Sequence, residues 1–130
     1  MFADTNLFLK LTRIVVKRKA LNGSSLEMPE IRPWAICDDG FIISIQASYG
    51  HYCSPRVNGD DFYRTVELGY PSEFEELILE YAEDPDCPTG SVYANVPVDV
   101  VNEVLKKHGG IVDIKDKSLY GAWGFIDATY

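Results

Sequence analysis

The sequence predicts an α+β domain, with an antiparallel or mixed sheet, two main helices packed on one side, and an N-terminal helix or strand extension. Short alternating apolar runs bounded by Asp/Gly and Asn/Gly turns occupy residues 31–68. Two stretches with helical spacing follow, at 72–82 and 97–108, with a short apolar run between them. A chain of 130 residues that is 46% hydrophobic can close one core. One ligand-binding domain over residues 31–130 is expected behind a basic extension over 1–30.

The N-terminal segment supports two readings. Asp4-Thr5 can cap a helix with the apolar stripe Leu7, Phe8, Leu11, Ile14 and Val15, stopped at Asn22-Gly23. The β-branched run Ile14-Val15-Val16 suits a strand instead. Agreement of the signals at both ends favours the helix.

Ile31–Cys37 is the first expected strand of the domain, edged by Pro33 because proline cannot donate to a ladder. Asp38-Asp39-Gly40 turns it into Phe41–Ala47, where Phe41, Ile43 and Ile45 form the buried set. Asn58-Gly59-Asp60-Asp61 opens another strand, Phe62–Leu68. Ser72 and Glu75 have the spacing of a capping box ahead of Phe74, Leu77, Ile78, Tyr81 and Ala82, and Pro85 and Pro88 end that helix. Ser91–Val96 is a short strand. The second helix starts near Pro97 with the stripe Val98, Val101, Val104, Leu105 and His108. Its acids come early, its bases late, and Gly109-Gly110 closes it. Ile111–Ile114 and Leu119–Phe125 are expected to pair as a last hairpin around Asp116-Lys117.

No apolar run reaches the roughly 20 residues of a membrane-spanning helix, and the charged N-terminus does not read as a secretory signal. Cys37, Cys53 and Cys87 are an odd number without a CxxC pair, which points to free thiols in a reducing compartment. The net charge of −8 argues against nucleic-acid duplexes as partners. It is unevenly spread: residues 1–32 hold six basic and three acidic groups, a net of +3, and the rest nets −11. Such asymmetry suits contact between segments or between subunits, or a solvated basic face.

Candidate chemistry is sparse. His51 lies near Cys53, but that spacing alone is poor evidence for a nucleophile and its base. His108 ends a helix stripe and reads as a cap or packing residue. No histidine or cysteine pair has zinc-site spacing, no calcium loop surrounds the carboxylates, and no glycine-rich loop opens a helix. Neither a metal nor a cofactor is expected, nor an enzyme.

Anion recognition fits better. Between Ala20 and Leu105 the only lysines or arginines are Arg32, Arg56 and Arg64, in strongly acidic surroundings. Arg56 follows a loop carrying Tyr49, His51 and Tyr52, so aromatic faces for a base stand beside a guanidinium for phosphates. The competing structural reading pairs Arg56 and Arg64 with Glu67 or with the acids of Glu75–Glu83. Tyr93 and Asn95 alternate with Val92, Ala94 and Val96, and an asparagine so poorly suited to a strand is either a ligand reader or an edge residue. The candidate ligand-binding set is Arg56, Asn95, Tyr93, Tyr52, His51 and Arg32.

Several motifs also carry a resemblance. They are Asp39-Gly40-Phe41, Ser44-Ile45-Gln46-Ala47-Ser48, His51-Tyr52-Cys53-Ser54-Pro55-Arg56, Glu67-Leu68-Gly69-Tyr70-Pro71-Ser72 and Val92-Tyr93-Ala94-Asn95-Val96-Pro97. In combination, over about residues 31–112, they resemble the phage Thoeris anti-defence protein 1 family. The resemblance implies a non-enzymatic sponge in the cytoplasm of an infected bacterial host. Such a protein sequesters a glycocyclic ADP-ribose immune signal in pockets between subunits of a homo-oligomer, and some family members also hold cyclic oligonucleotides. Arg56 and Asn95 match the residue types expected in such a pocket. Two rivals stand beside it. One is an acidic, anti-CRISPR-like inhibitor built on the eight acids of Glu67–Asp86, a run without one basic residue. The other is a small hydrolase using Cys53 and His51.

Overall fold

β-Branched and aromatic residues in short alternating runs form a five-stranded sheet in the computed structural model, which describes residues 1–13, 17–19, 21–23 and 25–117. Helix α1 (Thr5–Leu11) is followed by a separate two-stranded hairpin, β1 (Lys17–Lys19) and β2 (Ser25–Glu27). The main sheet contains β3 (Trp34–Cys37), β4 (Ile42–Gln46), β5 (Thr65–Gly69), β6 (Val92–Pro97) and β7 (Ile111–Lys115). Its order is β6-β5-β4-β3-β7, and every pairing is antiparallel. Helix α2 (Val98–Lys107) links β6 to β7. The α+β expectation therefore holds, in its antiparallel form. No described helix is long and apolar enough to cross a membrane.

The core lies between the sheet and the helices. Phe8 and Leu9 of α1 and Val101, Val104 and Leu105 of α2 join Ala35, Ile43, Ile45, Val66 and Leu68 in one buried cluster. Each of these side chains larger than alanine contributes roughly 1.5–3 kcal/mol of burial. Thus the first residues of the expected 1–30 extension help to close the core.

Several boundaries differ from the sequence expectation. Asp4 does cap α1, its Oδ1 accepting from the Leu7 amide at 3.1 Å. The helix stops at Leu11, however, and Asn22-Gly23 lies in the turn between β1 and β2. The helical reading therefore holds for Thr5–Leu11 only, and Lys17–Lys19 is extended. Ile14–Val16 and the expected strand Leu119–Phe125 lie outside the described residues. β7 pairs with β3.

The expected helix over 72–82 is a correction. Only a 3-10 helix forms, over Glu76–Tyr81. Ser72 exchanges hydrogen bonds with β4, donating its amide to the Ile42 carbonyl (2.8 Å) and accepting from the Ile42 amide at Oγ (2.9 Å). The capping box therefore never closes. Glu75 caps the 3-10 helix itself through the Leu77 amide, and the rest of its carboxylate is claimed by the end of α2.

That claim is made by His108, the residue expected as a cap. Its ring stacks on Phe41, centroids 3.9 Å apart and planes 9° from parallel. Nδ1 lies 2.6 Å from Asp39 Oδ2, and Nε2 lies 2.9 Å from Glu75 Oε1. Lys107 adds a 3.1 Å bond to Glu75. Burial alone would lower the His108 pKa, but the bonds and charges of Asp39 and Glu75 override it and raise the value. For Glu75, burial is outweighed by the Leu77 amide, His108 and Lys107, and its pKa falls. The Phe41 amide bond, followed by the smaller contribution of His108, lowers that of Asp39.

The clamp dictates the pH response. The histidine share of stability is fully present below its ordinary value of about 6.5 and is lost as pH rises through the raised value. The carboxylate share is present above the ordinary values near 4 and is lost as pH falls through the depressed ones. Urea unfolding across pH should show greatest stability in the window between them. His108→Ala, which strands the buried Glu75 carboxylate, should cost about 3 kcal/mol and flatten the alkaline limb.

Candidate functional site

The segment from Ser48 to Arg64 crosses the sheet edge near β5 and β6, and three of the six candidate residues meet there. Ser54 forms an isolated antiparallel bridge with Thr65. Just before it, the Tyr52 amide donates to Glu67 Oε1 at 2.7 Å, and the Tyr52 carbonyl accepts from the Asn95 amide at 3.1 Å. Just after it, the Arg56 guanidinium carbon stands 5.1 Å from the Tyr52 ring centroid. Tyr52, Arg56 and Asn95 are all exposed. The result is an open surface bearing an aromatic face, a guanidinium and a carboxamide.

Asn95 reaches this surface through a bulge. Val66 pairs with Val96 and Leu68 with Tyr93, so β6 carries one residue more than β5 between those pairs. Asn95 takes a left-handed conformation there, φ 50°, which asparagine tolerates better than other non-glycine residues. Its Oδ1 accepts from the Thr65 hydroxyl at 3.1 Å.

The same bulge separates Tyr93 from Asn95. Strict alternation would put both on one face, but Tyr93 is fully buried and its hydroxyl donates to the Pro88 carbonyl at 2.5 Å. His51 is buried beneath the loop, with Nδ1 2.5 Å from Ser48 Oγ. Arg32 is buried far from solvent. Its Nε donates to the Leu9 carbonyl (3.1 Å), Nη1 to the Ala47 carbonyl (2.6 Å) and Nη2 to Glu30 (3.2 Å). It therefore acts as an internal tie, with its donor groups already committed to the fold.

The thiol near His51 is buried. Cys53 Sγ donates to the Ser48 carbonyl at 3.2 Å and the Pro55 carbonyl at 3.4 Å, and burial raises its pKa. Burial raises that of Cys37 as well, to about 11. Among the described residues, no group of three or more His, Cys, Asp or Glu side chains is arranged to hold a metal.

The competing pairing of Arg56 and Arg64 with Glu67 or the acids of Glu75–Glu83 is not found among the described residues. Both are exposed, and neither makes an ion pair with a described residue. Glu67 Oε1 is engaged by the Tyr52 amide, and Glu75 by Lys107 and His108. A described cavity of about 290 Å³, lined by Met1, Phe2, Ala3, Lys106, Gly109 and Gly110, shares no residue with the Tyr52 surface.

Sequence reasoning did not single out Lys117. Its Nζ donates to Ser44 Oγ at 2.6 Å and stands 4.2 Å from the Trp34 ring centroid. Burial, only partly opposed by the charge of Glu67, lowers its pKa to about 7. No spacing signal links residues 34, 44 and 117; pairing of β3 with both β4 and β7 brings Trp34 beside Ser44 and beside Lys115, two residues before Lys117.

Two outcomes follow from these environments. Ellman's reagent at pH 7.5 should titrate one thiol per native chain, the exposed Cys87, and release Cys37 and Cys53 only on unfolding. Arg32→Met should act on stability, costing about 3–5 kcal/mol in chemical denaturation, because it leaves the buried Glu30 carboxylate short of a partner. Compared with protein-family models, curated proteins and solved structures, the chain matches none, so the chemistry of this surface is read from its own residues.

Proposed function

We propose that this chain is a non-catalytic, phage-type anti-defence sponge that binds a cyclic ADP-ribose signal and withholds it from its receptor in the host cytoplasm. The observation that carries the reading is the Arg56 guanidinium beside the exposed ring of Tyr52, whose carbonyl accepts from the Asn95 amide; Arg56 makes no ion pair with a described residue. An acidic chain has many carboxylates with which to neutralise an arginine. One left unpaired beside an aromatic face has the equipment to grip phosphate and stack on a base. The burial of Cys53, which raises the pKa of its thiol, supports holding over cleavage.

The surface is open, so one subunit supplies only one wall. A homo-oligomer in which a second subunit covers the ligand would remove most of its area from water and slow its release. The acidic-inhibitor reading keeps one observation in its favour. Glu76, Glu80, Glu83, Asp84 and Asp86 are exposed and make no ion pair with a described residue.

Calorimetry with cyclic ADP-ribose isomers, together with native mass measurement, tests the proposal. At least one isomer should bind to an oligomer, and ligand recovered after heat denaturation should be intact. Arg56→Ala should weaken binding about 10- to 100-fold. Absence of heat with every isomer would reject the sponge. Loss of anti-defence activity on neutralising the Glu76–Asp86 acids, with Arg56→Ala silent, would favour the inhibitor.

A further inference from the structure

We propose that Thr65 is a positioning residue that sets the Asn95 carboxamide with its Nδ2 hydrogens toward the ligand, so that the site reads a hydrogen-bond acceptor. This rests on the ligand-binding reading above and narrows it. The Thr65 hydroxyl donates to Asn95 Oδ1 at 3.1 Å, while no described residue accepts from Nδ2. A carboxamide has one accepting end and one donating end. With the accepting end engaged by the protein, the end offered outward is a donor. The ligand atom opposite it is then a ring nitrogen, a carbonyl oxygen or a phosphate oxygen.

Both partners are held in place. Thr65 pairs with Pro97 across β6 and with Ser54 on its other side, and its β-branched side chain has few rotamers in a strand. The Asn95 backbone is tied by its amide to the Tyr52 carbonyl at 3.1 Å and held at φ 50° in the bulge. The amide therefore points one way before the ligand arrives, which reduces the ordering that binding requires.

The test uses the full chain, with cyclic ADP-ribose isomers as probes in calorimetry. Thr65→Val keeps the shape and removes the hydroxyl; it should weaken binding about five- to tenfold, and Thr65→Ser should restore it to near the wild-type value. In an Asn95→Ala background, Thr65→Val should have no further effect, which separates positioning from a general disturbance of β5. Side-chain amide NMR supplies a ligand-free readout: the Asn95 Nδ2 proton pair should shift in Thr65→Val and hold in Thr65→Ser. Wild-type binding with Thr65→Val unaffected, equal weakening in the Asn95→Ala background, or an unmoved amide pair overturns the inference alone. Absence of wild-type binding rejects the ligand reading and this inference with it.

Discussion

Glu30 is a carboxylate with no solvent exposure in a chain of net charge −8, and its neutralisation organises the region around it. An ion so far from water is tolerable only if its oxygens are paired and hydrogen-bonded. Arg13 and Arg32 supply the charge, and the Gly59 amide supplies a third donor at 3.0 Å. Arg32 then extends the knot to the carbonyls of Leu9 in α1 and Ala47 beyond β4. Gly59 is required where it stands: its φ is 67°, and a Cβ there would collide with the Arg13 guanidinium. One buried carboxylate thereby anchors α1 and both ends of the loop region that carries Tyr52 and Arg56.

The loop is pinned again from the sheet side. Asn58 holds the Glu30 and Met28 backbones, while Tyr52 is tied by its amide to Glu67 and by its carbonyl to Asn95. The two Tyr52 contacts fall at the bulge, on Asn95 of β6 and on Glu67 of β5 opposite it, so the irregularity joins the loop to the sheet and turns Asn95 outward. A regular strand would have sent residue 95 to the same side as Tyr93, into the core.

Charge is partitioned in the same spirit. The internal arginine is committed to Glu30 and two carbonyls; the acids nearest α2 are committed to Lys107 and His108. The two arginines of the outer loop are exposed and make no ion pair with a described residue. In a protein whose overall field repels anions, the proposed binding of a phosphorylated ligand would have to rely on local donors, since long-range attraction is lacking. The proposed second subunit would answer that constraint, because excluding water strengthens each contact that the guanidinium makes.

Much of the fold was legible from residue pattern. The alternation Phe41, Ile43, Ile45, the Asp39-Gly40 turn, the Asp4 cap and the whole of α2 with its closing glycines follow from local chemistry that operates over a few residues. Tyr52, Arg56 and Asn95 were visible as residue types in a suggestive order, and their meeting agrees with that order. The Ser72–Glu75 box failed because both of its members found stronger partners distant in sequence, Ile42 and His108. Arg32 and Tyr93 belong to the interior instead: a buried carboxylate two residues away claims one, and the other faces the core, parted from Asn95 by a single extra residue in β6. Hydrophobic period, caps and turns are set by neighbours along the chain, so the sequence alone determines them. Which polar group is buried, which cation makes no ion pair among the described residues and which side of a bulged strand faces water depend on partners up to 97 residues apart, and only the tertiary structure decides them.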